Sequence, residues 1–366
     1  MDIDFSRIDY LKNPSQEVLK DSAQQFLISL QAPTVIDIEG QDQTRSRVVV
    51  ALLHGDEPSG FYAIHQWLTQ YRQPQSKLMM PATNMRFIIC SVEAAKTLPL
   101  FTNRNVINGE DLNRCFYSAE QANRDIGYQT RANLIANAIE EVTPEVIVDL
   151  HNSIGKGPAF AVTRENNDNL VALTSLFCST LILSQINIGA LVEQDFGCPN
   201  ITIECGGASD ESAHDIAYEG LQHLCGYDFI EDCHHNNPVE IIHTPLRLRI
   251  KPDSNLQFAH KNTEENGVVL IDEIEKLNYG VCERGQVFGW INENGLEHLE
   301  LIDAEHEDVI TDFFSVINNQ LVCACNIRLF KATTELTTAQ SDCLFYVIKQ
   351  RDVKTANLVD VHFIAS

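Results

Sequence analysis

Basic residues are scarce in this chain: 26 Lys and Arg stand against 51 Asp and Glu in 366 residues, a formal net charge of -25 with a pI near 4.7. Such a balance repels phosphate backbones and anionic headgroups, so neither nucleic acid nor a membrane surface is expected as a partner. The charge as a whole is accounted for by solubility, and a small anionic substrate would need a local arginine pocket. Long apolar runs are also missing, none approaching the ~20 residues that cross a bilayer. The opening MDIDFSRIDYLKNPS is acidic and lacks the apolar stretch of a signal peptide. Eleven cysteines follow no disulfide framework spacing, which fits free thiols in a reducing compartment and makes a cytoplasmic location the expectation. No internal repeat or low-complexity tract stands out.

What is present is enough for more than one core, with 44% hydrophobic residues in a chain of this length. Up to about residue 235, helical and strand patterns alternate. Helices are expected over 15–30, 59–72, 122–142, 169–184 and 209–225, and strands over 34–38, 48–53, 85–92, 145–150, 158–163, 189–192 and 200–204. Gly206 and Gly207 are expected to break the last of these, and 98–116 reads as a long irregular loop of the kind that carries function. From Asn236 the texture becomes short β-rich pieces separated by Gly and Asn turns, at 239–243, 246–250, 267–271, 285–291, 319–327 and 342–348. The expected architecture is therefore α/β over 1–235, a mixed and mostly parallel sheet with helices on both faces, followed by an all-β domain over 236–366.

The organising stretch is RVVVALLHGDEPS, Arg47 to Ser59. Val48 to Leu53 is a continuous apolar run suited to a central parallel strand, Gly55 lets the backbone turn, and Pro58 suits a first helical turn. His54 and Glu57 thus fall at a carboxyl strand end, where open α/β sheets keep their sites. EVIVDL, residues 145–150, delivers His151 in the same way. Two His and one Glu can reach one ion at about 2.0–2.2 Å and leave a position open for water, the arrangement of a catalytic zinc. Zinc, one per chain, is the expected ion, although other divalent metals fit such ligands. Taken singly, His54 could be a core histidine and Glu57 a dipole-favoured acid at a helix start.

Metal-assisted hydrolysis also needs a proton acceptor, and Glu204 at the end of NITIE is placed for it. In the long loop, Arg104 could stabilise an oxyanion and Arg114 could hold a substrate carboxylate bidentately. Asp111 could orient a ligand histidine from behind, or merely pair with Arg114. Asp149 has two readings as well, support of His151 or simple strand-end hydrogen bonding. Cys205 beside Glu204 is either a nucleophile or a small apolar filler. Cys225 with Cys233, His234 and His235 matches no common zinc spacing, and Cys323 and Cys325 read as two core-facing positions on a strand.

HGDEP, the R-x9-R of RNVINGEDLNR, DLHNS and ITIECGG, in this order, resemble the succinylglutamate desuccinylase/aspartoacylase family, a branch of the zinc carboxypeptidase-like superfamily. The resemblance covers roughly 34–225, with a C-terminal β domain also similar to that of family members. It implies that His54, Glu57 and His151 hold zinc, that Glu204 is the catalytic carboxylate and that Arg104 polarises the scissile carbonyl. Asn113 with Arg114 would bind the substrate carboxylate, and Asp111 would support a zinc histidine. Asp56 departs from the family pattern, which has Asn there, and adds negative charge near the metal. Arg164 and Tyr279 are either substrate contacts or ordinary surface and packing residues. The implied activity is zinc-dependent cleavage of the amide of a small N-acyl amino acid or related carboxylate-bearing substrate. A carboxypeptidase acting on short peptides and a metal-binding homologue without turnover are the alternatives, and a homo-oligomer is compatible with either.

Overall fold

The computed structural model describes residues 3–116, 126–153, 157–185, 187–232, 238–263, 267–291, 295–303, 305–341, 343–350 and 353–356. Two compact units divide the chain, one built chiefly from residues up to Ser153 together with Ala159–Val239, the other from Glu240–Thr355. In the first unit the strands are β1 (Asp9–Lys12), β2 (Thr34–Ile38), β3 (Asp42–Ala51), β4 (Thr83–Ile89), β5 (Val146–Ser153), β6 (Phe160–Thr163), β7 (Thr180–Leu183) and β8 (Asn200–Gly207). Its helices are α1 (Gln16–Leu19), α2 (Ala23–Ser29), α3 (Ser59–Arg72), α4 (Val92–Ala95), α5 (Ile126–Glu140), α6 (Asp168–Phe177) and α7 (Glu211–Gly226). The strands lie side by side in the order β1-β2-β4-β3-β5-β8-β6-β7. The middle four, β4, β3, β5 and β8, are parallel, while β2 and β6 run antiparallel to their inner neighbours.

Strand alternation sorts the core onto two faces. Val48, Val50 and Ile147 pack with Ala132, Ile135, Ala138 and Ile139 of α5. On the opposite face α3 comes down close to the sheet at Gly60, where an added Cβ would stand 2.6 Å from the Cβ of Leu150 and 3.0 Å from that of Ala51. The same alternation sends Asp149 and His151 to one side of β5, and Leu150 and Asn152 to the other.

Several expectations change on inspection. The helix expected over 15–30 is two helices, because Lys20 takes a left-handed φ of 64° and Ser22 restarts the chain by accepting from the Gln25 amide. The helix expected over 169–184 ends at Phe177, and the short run Thr180–Leu183, where β-branched Thr180 and Ile182 alternate with leucine, is a strand, since so short a run carries no period that separates the two. Residues 189–192 hold a 3-10 turn, Leu191–Glu193, rather than a strand. Gly206 and Gly207 do not break β8; they extend it, with Gly206 at φ 116°. Residues 122–125 of the helix expected over 122–142 lie outside the described residues, as do Cys233, His234 and His235.

The second unit holds two five-stranded sheets. One orders Val281–Cys282, Ile327–Phe330, Phe345–Lys349, Leu246–Ile250 and Leu299–Leu301. The other orders Leu256–Ala259, Val268–Ile271, Val287–Ile291, Gln320–Cys323 and Phe314–Ile317. They share a core that includes Phe288, Phe314 and Phe345. The piece expected at 319–327 is two strands, so Cys323 lies on one and Cys325 beyond its end, both against that core.

Candidate metal and amide-hydrolysis site

The site forms where β3 and β5 deliver their carboxyl ends. Leu52, fully buried, adopts φ 57°, a left-handed conformation costly for a branched residue, and turns the chain out of the sheet just before His54. Ser91 holds that turn, its amide donating to Leu52 O at 2.6 Å and its hydroxyl to Leu53 O at 2.8 Å. The sharp turn is therefore made at Leu52, and Gly55 serves a different purpose from the one expected. A Cβ there would lie 2.6 Å from both Ala95 N and Asn103 O, so glycine permits the close approach of the loop bearing Arg104. The Gly55 amide donates to Arg104 O at 2.9 Å.

His54, Glu57 and His151 are all buried, and one ligand atom from each lies within 4.8 Å of the others. Each imidazole is gripped from behind by a carboxylate: His54 Nε2 is 2.9 Å from Asp111 Oδ1, and His151 Nε2 is 2.7 Å from Asp149 Oδ2. Those contacts fix each ring from its Nε2 side and turn both Nδ1 atoms toward Glu57, while Arg104 Nη2 also lies 2.7 Å from His54 Nε2. His54 Nδ1 is 2.9 Å from Glu57 Oε1, yet is buried with no hydrogen-bond partner. His151 Nδ1 is 2.6 Å from Glu57 Oε2. Two buried imidazoles and a buried carboxylate converging in this way offer donor atoms that a divalent cation can hold together. The group can bind a metal ion, and two imidazoles with one carboxylate are a donor set suited to zinc.

Electrostatics bind the cluster together. Burial alone would push the Glu57 carboxyl up, but His54 and His151 hold it well below the ordinary carboxylate value. Burial likewise works against charge on His151, and Asp149 and Glu57 carry its pKa well above the usual imidazole value. Burial opposes ionisation of Asp111 too, and is outweighed by His54, Arg104 and Arg114, so its pKa is lowered. Arg104 donates to Glu57 Oε1 at 2.9 Å and to Asp111 Oδ2 at 3.1 Å. Asp56 has a buried Oδ1 with no hydrogen-bond partner, and burial with the neighbouring Glu57 raises its pKa.

Of the remaining expected site residues, Glu204 is the register partner of His151 across β5 and β8, and is buried. Asn113 and Arg114 lie in a 3-10 turn, Leu112–Arg114, whose cap is Asp111 accepting from the Asn113 amide at 2.9 Å. The Asn113 side-chain oxygen is engaged by the Leu191 amide at 2.8 Å, and Arg114 Nη1 by Asn113 O, which leaves the Asn113 amide nitrogen and the rest of the guanidinium for other partners. Asp149 is the residue behind His151. Cys205 is a filler: buried, with its thiol pushed well above the ordinary value by burial, it offers no thiolate. Arg164 bonds Asn187 on an exposed face, and Tyr279 packs edge-on against Phe330 at 5.5 Å.

Three residues of the site were not anticipated. Asn152 donates its amide to Glu57 Oε2 at 3.1 Å, and its side chain joins Ser59. Ser59 in turn meets His214. Asn152 and Ser59 lie inside DLHNS and HGDEPS, so buried polar residues beside proposed ligands were the available signal. His214 had none.

The comparisons with known proteins follow this geometry. The model of the succinylglutamate desuccinylase/aspartoacylase catalytic domain matches residues 43–222. No curated protein matches the chain in sequence. Among solved structures, the chain is similar to a protein of Shewanella frigidimarina NCIMB 400 described as a succinylglutamate desuccinylase/aspartoacylase, at 11% identity, TM-score 0.56, with 88% of this chain and 93% of that one covered. It is also similar to the succinylglutamate desuccinylase of Vibrio cholerae, at 14% identity, TM-score 0.54, with 85% and 96% covered. At such identities the structural likeness speaks for the fold, and the family match spans every residue of the site from His54 to His214. Residues 43–222 of this chain are therefore a catalytic domain of the succinylglutamate desuccinylase/aspartoacylase family.

Proposed function

We propose that the protein is a zinc-dependent deacylase that hydrolyses the amide of a small N-acyl amino acid or related carboxylate-bearing substrate. The observation that carries the reading is the pair of buried imidazoles, each backed by its own carboxylate and each turning Nδ1 toward Glu57. A zinc ion held by His54, Glu57 and His151, one per chain, would supply Lewis-acid polarisation of the carbonyl and acidify water at neutral pH.

The chain's own residues account for the rest. Glu204, in register beside His151, accepts the proton of the attacking water and returns it to the departing amine. Arg104, anchored on Glu57 and Asp111, presents its guanidinium to the carbonyl oxygen as negative charge develops there. Arg114 and the amide nitrogen of Asn113 bind the substrate carboxylate, placing positive charge where an acidic protein otherwise has little. The chemistry belongs to the first unit. The ten described cysteines are free thiols, which supports a cytoplasmic setting, and no helix among the described residues is long and apolar enough to cross a membrane.

The test is metal content of the purified protein beside His151→Ala, followed by release of free amine from N-acyl amino acids and short peptides. About one zinc per chain, largely lost in the variant, with turnover of N-acyl amino acids and its loss in Glu204→Gln, is expected. No zinc uptake on reconstitution would end the proposal, and preference for peptides would move it to a carboxypeptidase.

A further inference from the structure

A chain of short contacts leads from the metal-ligand cluster to helix α7. Asn152, on the face of β5 opposite His151, is buried and fully engaged. Its amide donates to Glu57 Oε2 at 3.1 Å, its side-chain oxygen accepts from the Ser59 amide at 3.0 Å, and its side-chain nitrogen donates to Ser59 Oγ at 2.7 Å and to Gly206 O at 2.8 Å. Ser59 Oγ therefore already accepts a proton from Asn152. Its own hydroxyl proton needs an acceptor, and the Ser59 side chain is fully buried, away from water. His214 Nδ1 lies 2.7 Å away. Donor counting then requires the neutral ring with its proton on Nε2, so that Ser59 donates to His214. The ring is seated edge-on against Tyr62, centroids 5.0 Å apart.

Resting on the metal-site reading above, we propose that His214 is a positioning residue: by accepting from Ser59 it locks the Ser59–Asn152 pair, and through it the Glu57 carboxylate that completes the metal-ligand set. The pair also reaches Gly206 O, two residues beyond Glu204, so one hydrogen-bonded unit braces the first ligand turn and the end of β8 together. His214 touches none of the three ligands, and it approaches from α7, a helix that supplies none of them. Without an acceptor at this place, the Ser59 proton must turn onto another group. Asn152 then loses one fixed partner, and the peptide that holds Glu57 Oε2 is free to shift. Removal of such outer partners commonly weakens metal binding about 10- to 100-fold. One link further out, about 3- to 10-fold is the expected range.

His214→Phe keeps the ring against Tyr62 and removes the acceptor; His214→Gln restores an acceptor of similar reach. The measurement is the zinc dissociation constant of each purified protein by competition with a chromogenic chelator, with thermal midpoint of the metal-free protein alongside. The expected result is wild-type zinc occupancy near one, about 3- to 10-fold weaker binding in His214→Phe at an apo midpoint within a few degrees of wild type, and recovery of most of the affinity in His214→Gln. Equal affinities in wild type and His214→Phe would overturn the assignment, as would a loss that His214→Gln fails to recover while remaining folded. Failure of wild type itself to bind zinc is a separate outcome, and it removes the metal-site reading on which the inference stands.

Discussion

Asp149 is wholly buried, one of its oxygens lies 2.7 Å from His151 Nε2, and the other has no hydrogen-bond partner. Such a carboxylate is kept in the interior only because the imidazole shares its charge. Asp149→Asn removes that charge at nearly constant shape and permits the wrong tautomer of His151. Metal affinity is expected to fall about 10-fold or more, read by chelator competition, while the fold persists. His65 shows a titration away from the site. Burial lowers its pKa, partly offset by the hydrogen bond from Nε2 to Leu19 O at 3.0 Å. The unfolded chain then binds the proton more readily, so the stability contributed by His65 is complete above about pH 6.5 and is lost as pH falls below it. Thermal midpoints measured from pH 7.5 to 5 should decline less steeply in His65→Gln than in wild type.

Helix α7 ends on Arg47. This guanidinium, fully buried, donates to Tyr227 O at 2.7 Å and Asp228 O at 2.9 Å, also reaches Leu224 O, and pairs with Glu145. Arg47→Met strands the Leu224 and Tyr227 carbonyls, while Arg45 still holds Glu145 and Asp228 O, and a loss of about 1–3 kcal/mol is expected by denaturant titration. At the other end of the same packing, Gly60→Ala would press a methyl group against Leu150 and lift the start of α3 from β5. About 1–3 kcal/mol of destabilisation is expected, with weaker metal binding because Ser59 moves with the helix. Elements such as α3 were legible because Phe61, Ile64, Trp67 and Leu68 repeat at helical spacing after a strand and Pro58. Thr180–Leu183 was not, since so short a run fits either period. Gly206 misled because glycine usually interrupts a strand, whereas here it carries the strand on at a positive φ. Likewise HGDEP and DLH pointed to the three side chains that the fold brings together, but the link from Ser59 to His214 joins positions 155 residues apart and leaves no local pattern.

At the scale of the whole molecule, charge is the dominant property. A formal charge of -25 makes the compact state repel itself, and added salt screens that repulsion. The thermal midpoint is therefore expected to rise, not fall, between 20 and 300 mM sodium chloride at neutral pH. On the proposed function, substrate capture should show the same sign: an anionic substrate approaches against the overall field, so its KM is expected to improve with salt until direct screening of Arg114 takes over.

The pairing of His151 with Glu204 is a matter of sheet register. A slip of one residue between β5 and β8 would swing Glu204 to the opposite face of the sheet and leave His151 where it is. The stretch from Ser153 to Asn200 shares in that register, because β6 flanks β8 on its other side with Phe160 opposite Glu204. Glu204 is thus clamped from both sides, and an insertion that shifts either neighbouring strand by one rung would be felt at the same side chain.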